Sequence, residues 1–513
     1  MTPAESLTSR TARATQWRLA SVFVSTLARL AVGILLARLL TPADFGIVAL
    51  AYVVLGFVGP LSDLGIGAAL VQRVEMTERH LRVAFTSSLG LGLAVALGMV
   101  AAAPAAARLL GDTAVTPILR ALSLAFVISS TATVADAMLQ RRLDFKRQSF
   151  VDTGSHLLGY GGVAIALALL GYGVWSLVWG ALVQALGAAT AQLAIVRHPV
   201  RPLLARRELR DLLHFGFGST VNALVSYVAL NGDNFVVGRW IGAAGLGLYS
   251  RAYGLMNLPH TLFASVVTRV LFPAFSRAQG DPARLRRAYL LVTGLTAMIA
   301  APAMGTLAVA GPHLVLGLYG PQWSGVVIPL QILCVAGYFR AVYHLGGVVL
   351  RSVGWIYRWL PLHAVYAGLV LGLASAGSRY GLEGVATGVA VAILYMFVAT
   401  GWLALRATGT TWAAYVVAQR GAIVTAGATC GVAFLIRAVF EALHAPSLTI
   451  AVAIVTGASV PWAAGMRWLL AKPEFEPVRA HLPPVLVRLL GTAHRTWPPA
   501  AIRRRAPTGD ADG

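Results

Sequence analysis

Apolar runs long enough to cross a bilayer, about 20 residues each, recur along almost the whole of this 513-residue chain. Fourteen stretches qualify, at roughly 17–39, 45–70, 83–107, 117–139, 150–170, 173–196, 213–238, 246–272, 288–311, 325–350, 359–378, 383–405, 421–440 and 447–470. Only 12% of residues are charged, against roughly a quarter in soluble domains, so lipid must be the solvent for most of the surface. The expected fold is all-α and polytopic, with about 14 transmembrane helices. The first 17 residues are polar and carry Arg10 and Arg13. The run behind them is too long for the apolar part of a cleaved signal peptide and reads as the first span.

The net charge of +22 suggests a nucleic-acid binder only if the cations share one soluble face. Here they lie between apolar runs, and their placement carries orientation instead. Clusters at 10–18, 73–82, 141–147, 197–210, 277–287, 351–358 and 406–420 fall on one side of an alternating topology, and only Arg38, Arg108, Arg239, Arg379 and Arg437 on the other. The positive-inside rule then puts the N-terminus, and with an even span count the C-terminus, in the cytoplasm. Cys334 and Cys430 lie inside apolar runs and form no secreted-type disulfide framework. The sequence contains no P-loop, His-Glu-x-x-His motif or metal-spaced Cys/His set. No catalytic residue, metal or cofactor is expected, and energy must come from a gradient, a partner or the cargo itself.

An internal repeat divides the chain. Arg38, Ala43, Gly46, Ala51 and Tyr52 recur as Arg239, Ala244, Gly247, Ala252 and Tyr253, at an offset of 201 throughout. Span one therefore corresponds to span seven, and the halves share one orientation, related by an axis along the membrane normal with a substrate site between them. The resulting division is a cytoplasmic N-terminal tail (1–16), an N-lobe (17–196), a basic linker (197–212), a C-lobe (213–405), two further helices (406–470) and a basic cytoplasmic tail (471–513).

Several stretches, in this order and spacing, resemble the oligosaccharide flippases of the multidrug/oligosaccharidyl-lipid/polysaccharide exporter superfamily. They are Ala37-Arg-Leu-Leu-Thr-Pro-Ala-Asp-Phe-Gly46, Leu61-Ser-Asp-Leu-Gly-Ile-Gly67, Met138-Leu-Gln-Arg-Arg-Leu-Asp-Phe-Lys146, Gly171-Tyr-Gly-Val-Trp-Ser-Leu177 and Gly232-Asp-Asn-Phe-Val-Val-Gly238. The resemblance implies two pseudo-symmetric six-helix lobes around a central cavity, plus two C-terminal helices. It implies alternating access that carries undecaprenyl-diphosphate-linked oligosaccharide from the cytoplasmic to the periplasmic leaflet of the bacterial inner membrane. Membrane lipids, a polysaccharide polymerase and a chain-length regulator are the implied partners, and nucleic acid is not. A drug or cation antiporter of the same superfamily is the alternative. A membrane-embedded polymerase or ligase fits less well, because the longest outside loop, around 312–324, offers only His313 as a titratable side chain.

A diphosphate cargo needs cations, and arginine suits phosphate through its planar fork of donors. Arg29 and Arg340 sit well inside their spans and read as cavity-lining. Arg18, Arg251 and Arg269 complete the candidate substrate-binding set, with snorkelling to the headgroups as the ordinary alternative near span ends. Arg18 and Arg29 differ by only ~20° around a helix, and Arg251 and Arg269 by ~0°. Asp233 and Asn222 share another helical face and are the candidates for coupling to a proton or sodium gradient. The alternative for Asp233 is pairing with an arginine or capping backbone near Gly232. Asp63, beside Gly65 and Gly67, reads as a structural cap.

Overall fold

The structure, a computed structural model, describes residues 24–73, 75–259 and 281–475. All regular structure within them is helical. The N-terminal half holds α1 (24–39), α2 (Pro42–Asp63), α3 (Ile66–Gln72), α4 (Glu78–Leu110), α5 (Val115–Arg141) and α6 (Phe145–His156). α6 continues through a π-helical stretch, Leu157–Ala164, into α7 (Ile165–Leu169), and α8 (Val174–Ile195) follows. The second half holds α9 (Arg206–Trp240), α10 (243–259), α11 (Pro282–Leu318), α12 (Val327–Ser352), α13 (Ile356–Gly377) and α14 (Gly381–Thr408). α15 (Trp412–Ala442) and α16 (Ser447–Ala471) complete it and pack on α11. Nine helical stretches among the described residues are long and apolar enough to cross a membrane, one of them being α13 and α14 joined over Ile356–Thr408.

Two sequence boundaries shift. The run 45–70 is two helices, because Leu64 and Gly65 are both left-handed (φ 44° and 69°) and break it. Asp63 then caps α3: both of its carboxylate oxygens accept from the Gly67 amide, at 3.2 and 3.1 Å. Gly65 is required twice over, by its positive φ and because a Cβ there would meet the backbone of Gly216 on α9. The second shift is in the linker, where α9 begins at Arg206, inside the 197–212 stretch. The linker is fastened to the first half by ion pairs Arg73–Asp211 and Arg79–Glu208, both 3.2 Å.

The two halves meet along α2 and α9, which run antiparallel. Contacts descend from Leu50 against Gly238, through the Tyr227 ring against Gly56, to Gly65 against Gly216. The Tyr227 hydroxyl donates to the Tyr52 carbonyl at 2.8 Å.

At the turns where α2 and α10 begin, the repeat closes on itself. A Cβ on Gly46 would meet the carbonyl of Ala243, and a Cβ on Gly247 would meet the carbonyl of Pro42. Pro42 and Ala243 are themselves 201 apart, so this is one contact made twice by a local two-fold axis. Only glycine lets two backbones approach this closely. Arg38 donates from Nε to the Leu318 carbonyl at 2.7 Å and also to the Gly317 carbonyl, satisfying orphan carbonyls at the end of α11. Its counterpart Arg239 packs its guanidinium against Gly111 at the end of α4. The indole of buried Trp323 donates to the Ala37 carbonyl at 2.8 Å, so the stretch around 312–324 is a plug on this end rather than a free loop.

Candidate functional site

Just beneath that closed end lies a cavity of about 300 Å³ between the halves. Its polar lining is Arg29 (α1), Tyr52 (α2), His156 (α6), Tyr160 (π stretch), Ser250 and Arg251 (α10); Val32, Leu36, Phe45, Val48 and Leu177 supply apolar wall. The structure therefore brings together two of the sequence-identified arginines from opposite halves of the chain.

Arg251 is held by aromatic rings. Its guanidinium lies 4.0 Å from the Phe45 ring centroid, 5.9 Å from Trp323 and 6.0 Å from Tyr319. Gly33 on α1 lies beside the guanidinium. Packing on an aromatic ring engages the planar face of a guanidinium and leaves its in-plane N–H donors for an anion. Among the described residues, neither Arg29 nor Arg251 has a hydrogen-bond or ion-pair partner. Two such cations line one partly apolar cavity, an environment in which charge-assisted hydrogen bonds are strong.

The opposite wall owes its shape to the π stretch. Gly159 packs against the backbone of Gly180 and Gln184 on α8, closer than any side chain allows. His156 then bonds Gln184 through Nδ1 at 3.0 Å and stacks near Tyr160, ring centroids 5.1 Å apart. The Tyr160 and Tyr52 hydroxyls lie 3.4 Å apart. π turns inside α-helices concentrate at functional sites. Sequence reasoning did not select His156, Tyr160 or Tyr52 for this site. The available signals were a histidine inside an apolar run, the Gly159-Tyr160-Gly161-Gly162 stretch beside it, and Tyr52's place in the repeat.

A second polar cluster lies within the other half. Asp233 is 2% exposed, and its carboxylate accepts from the Tyr249 hydroxyl at 2.8 Å and from the Asn234 amide at 2.9 Å. No described cation comes within 4 Å of it. Arg340 does not line the cavity with Arg29 and Arg251. It hydrogen-bonds the Tyr253 hydroxyl and lies 5.3 Å from that ring's centroid. Arg18, Arg269 and the side chain of Asn222 lie outside the described residues. No cluster of His, Cys, Asp and Glu suited to a metal occurs among the described residues.

Comparison with known proteins places this architecture. A family profile described as polysaccharide biosynthesis protein matches residues 35–328. The succinoglycan biosynthesis transport protein ExoT of Rhizobium meliloti is 33% identical over 293 residues, covering 56% of this chain and 58% of that protein. The lipopolysaccharide biosynthesis protein WzxC of Escherichia coli is 28% identical over 317 residues, covering 60% of this chain and 63% of that protein. Both are thus matched over less than two thirds of their own length. The solved structure of the lipid II flippase MurJ, in an inward closed conformation, superposes with a TM-score of 0.65 at 15% identity, covering 88% of this chain and 99% of that one. At that identity the likeness establishes the polytopic helical fold.

Proposed function

This chain belongs to the polysaccharide biosynthesis protein family, and from that premise we propose that it translocates a lipid-linked, diphosphate-bearing oligosaccharide across the bacterial inner membrane. The observation that supports this reading is the pair Arg29 and Arg251: two arginines with no counter-ion within 4 Å among the described residues, contributed by opposite halves, in one aromatic-walled cavity. A diphosphate carries the charge such a pair lacks, and its two phosphates match two guanidinium forks. The tyrosines and His156 offer hydrogen bonds to sugar hydroxyls. The names of ExoT and WzxC, a transport protein and a lipopolysaccharide biosynthesis protein, point the same way. An antiporter for cationic drugs fits less well, since the cavity would repel its cargo.

In this reading the carrier is undecaprenyl diphosphate, movement runs from the cytoplasmic to the periplasmic leaflet, and both termini are cytoplasmic. A polymerase and a chain-length regulator act downstream. Asp233 is the candidate coupling group: a buried carboxylate with no cation within 4 Å among the described residues can exchange a proton or take a sodium ion. Deletion of the gene tests the whole reading. Lipid-linked glycan should accumulate in the cytoplasmic leaflet and surface polysaccharide should fall. Unchanged levels of both would refute it. Complementation with Arg29→Gln or Arg251→Gln should not restore export although the protein reaches the membrane.

A further inference from the structure

The helices α12 to α16 are joined by short turns, so they alternate in direction. One rim of the bundle therefore collects the ends of α12, α14 and α16 and the starts of α13 and α15. At this rim three cations stack on tryptophans of their own segment. Arg358 lies 4.4 Å from the Trp355 ring centroid, Arg406 lies 4.0 Å from Trp402, and the Lys472 ammonium lies 4.1 Å from Trp468. Arg358, Arg406, Trp402 and Trp468 are exposed. None of the three cations has an acidic partner within 4 Å among the described residues.

The opposite rim is built differently. There Arg437 is paired with Glu441 at 2.9 Å, and the same carboxylate takes His313 at 2.8 Å. Among the described residues of α11 to α16, no cation at that end lies over an indole. Among the described residues, one bundle thus ends in cations without acidic partners on tryptophan platforms, and in an ion-paired cluster at the other end.

We propose that the first rim is a binding surface for anionic phospholipid headgroups. Indoles at the end of an apolar bundle settle at headgroup depth, and cations held there meet the negative surface of an anionic leaflet. A guanidinium stacked on an indole keeps its in-plane donors for a phosphodiester. Three cations on three different segments of one rim match separate headgroups, which is why lipid fits better than one compact anion. This inference does not depend on the cargo proposed above.

The test places the full-length protein in nanodiscs of phosphatidylcholine alone or with phosphatidylglycerol, and reads Tm at low and high salt. The expected result is a higher Tm with phosphatidylglycerol, largely lost at high salt, and largely lost at low salt in the triple variant Arg358→Gln, Arg406→Gln, Lys472→Gln. The double variant Arg379→Gln, Arg437→Gln at the opposite rim should keep the full shift. An absent or salt-insensitive shift in the unmodified protein overturns the proposal without any variant. So does a triple variant that retains the shift, or equal losses from both rims.

Discussion

Position by position, Val32, Val48 and Leu50 of the first lobe correspond at the offset of 201 to Asp233, Tyr249 and Arg251 of the second. Val32 and Val48 are apolar wall of the cavity. Asp233 and Tyr249 form a buried hydrogen bond, and Arg251 supplies one of the cavity's two cations. Where the lobes touch, at Arg38/Arg239 and Gly46/Gly247, the copies are identical. Contact geometry related by a two-fold axis constrains both copies alike, because each carbonyl approached by one glycine belongs to the turn that carries the other. Chemistry facing a single asymmetric cargo carries no such constraint. Tyr52 and Tyr253 stand between these cases: the residue is the same, but one hydroxyl lies beside Tyr160 and the other holds Arg340.

The sharpest way to break this comparison is at the shared contact. Gly46→Ala and Gly247→Ala each place a methyl on a backbone carbonyl that has no room to move aside. Overpacking of about 3 kcal/mol depopulates the closed end roughly 100-fold. The two variants should be equally damaging, and the double variant hardly worse, since either methyl alone parts both contacts. Maleimide labelling of Leu40→Cys, a position only 3% exposed, should rise in both. A large effect from one glycine and none from the other would mean that the reciprocity is not used.

The interior should behave in the opposite way, with no symmetry between copies. Replacing Arg29 or Arg251 by Gln removes charge-assisted bonds worth about 1.5–3 kcal/mol each, so export should fall about 10- to 100-fold. Lysine at either site should restore only part, lacking the planar fork. Moving the charge to the mirror position, Arg251→Leu with Leu50→Arg, should not rescue, because Leu50 is fully buried against Gly238. Asp233→Asn should leave the protein in the membrane but abolish any dependence of export on a proton or sodium gradient. Retained dependence would exclude that residue from coupling.

The offset-201 repeat was legible because it keeps a glycine pair and an arginine pair at the contacts between the lobes, where substitution is least tolerated. The positions of Arg29 and Arg251 were legible as cations in apolar runs, but not their meeting. That depends on how α1 and α10 come to line one cavity, which brings together residues 222 apart in the chain. Arg340 looked identical to Arg29 in sequence, both deep in their spans, and only the fold shows that Tyr253 holds it. The π stretch was not legible at all as a helix type, since Leu157–Ala164 is an unbroken apolar run and its widening depends on Gly159 meeting α8. Hydropathy likewise joined α2 to α3, because a break made by one left-handed pair at Leu64–Gly65 costs no hydrophobicity.

The smallest predicted effects test whether the shared arginines are as equivalent as the shared glycines. Arg38 makes two hydrogen bonds to the last carbonyls of α11, whereas Arg239 packs on Gly111 with no described hydrogen bond. Both place a cation at a helix C-terminus, an interaction worth about 0.3–1 kcal/mol at an exposed site. Arg38 adds net hydrogen bonds of about 1 kcal/mol each. Thermal unfolding in detergent should therefore show Arg38→Ala less stable than Arg239→Ala, with Arg38→Lys recovering the helix-end attraction but not both bonds. Equal and small losses from the two alanine variants would reduce both residues to charges at helix ends. A larger loss from Arg239→Ala would show that the contact with α4 carries more of the closed end than the contact with α11 does.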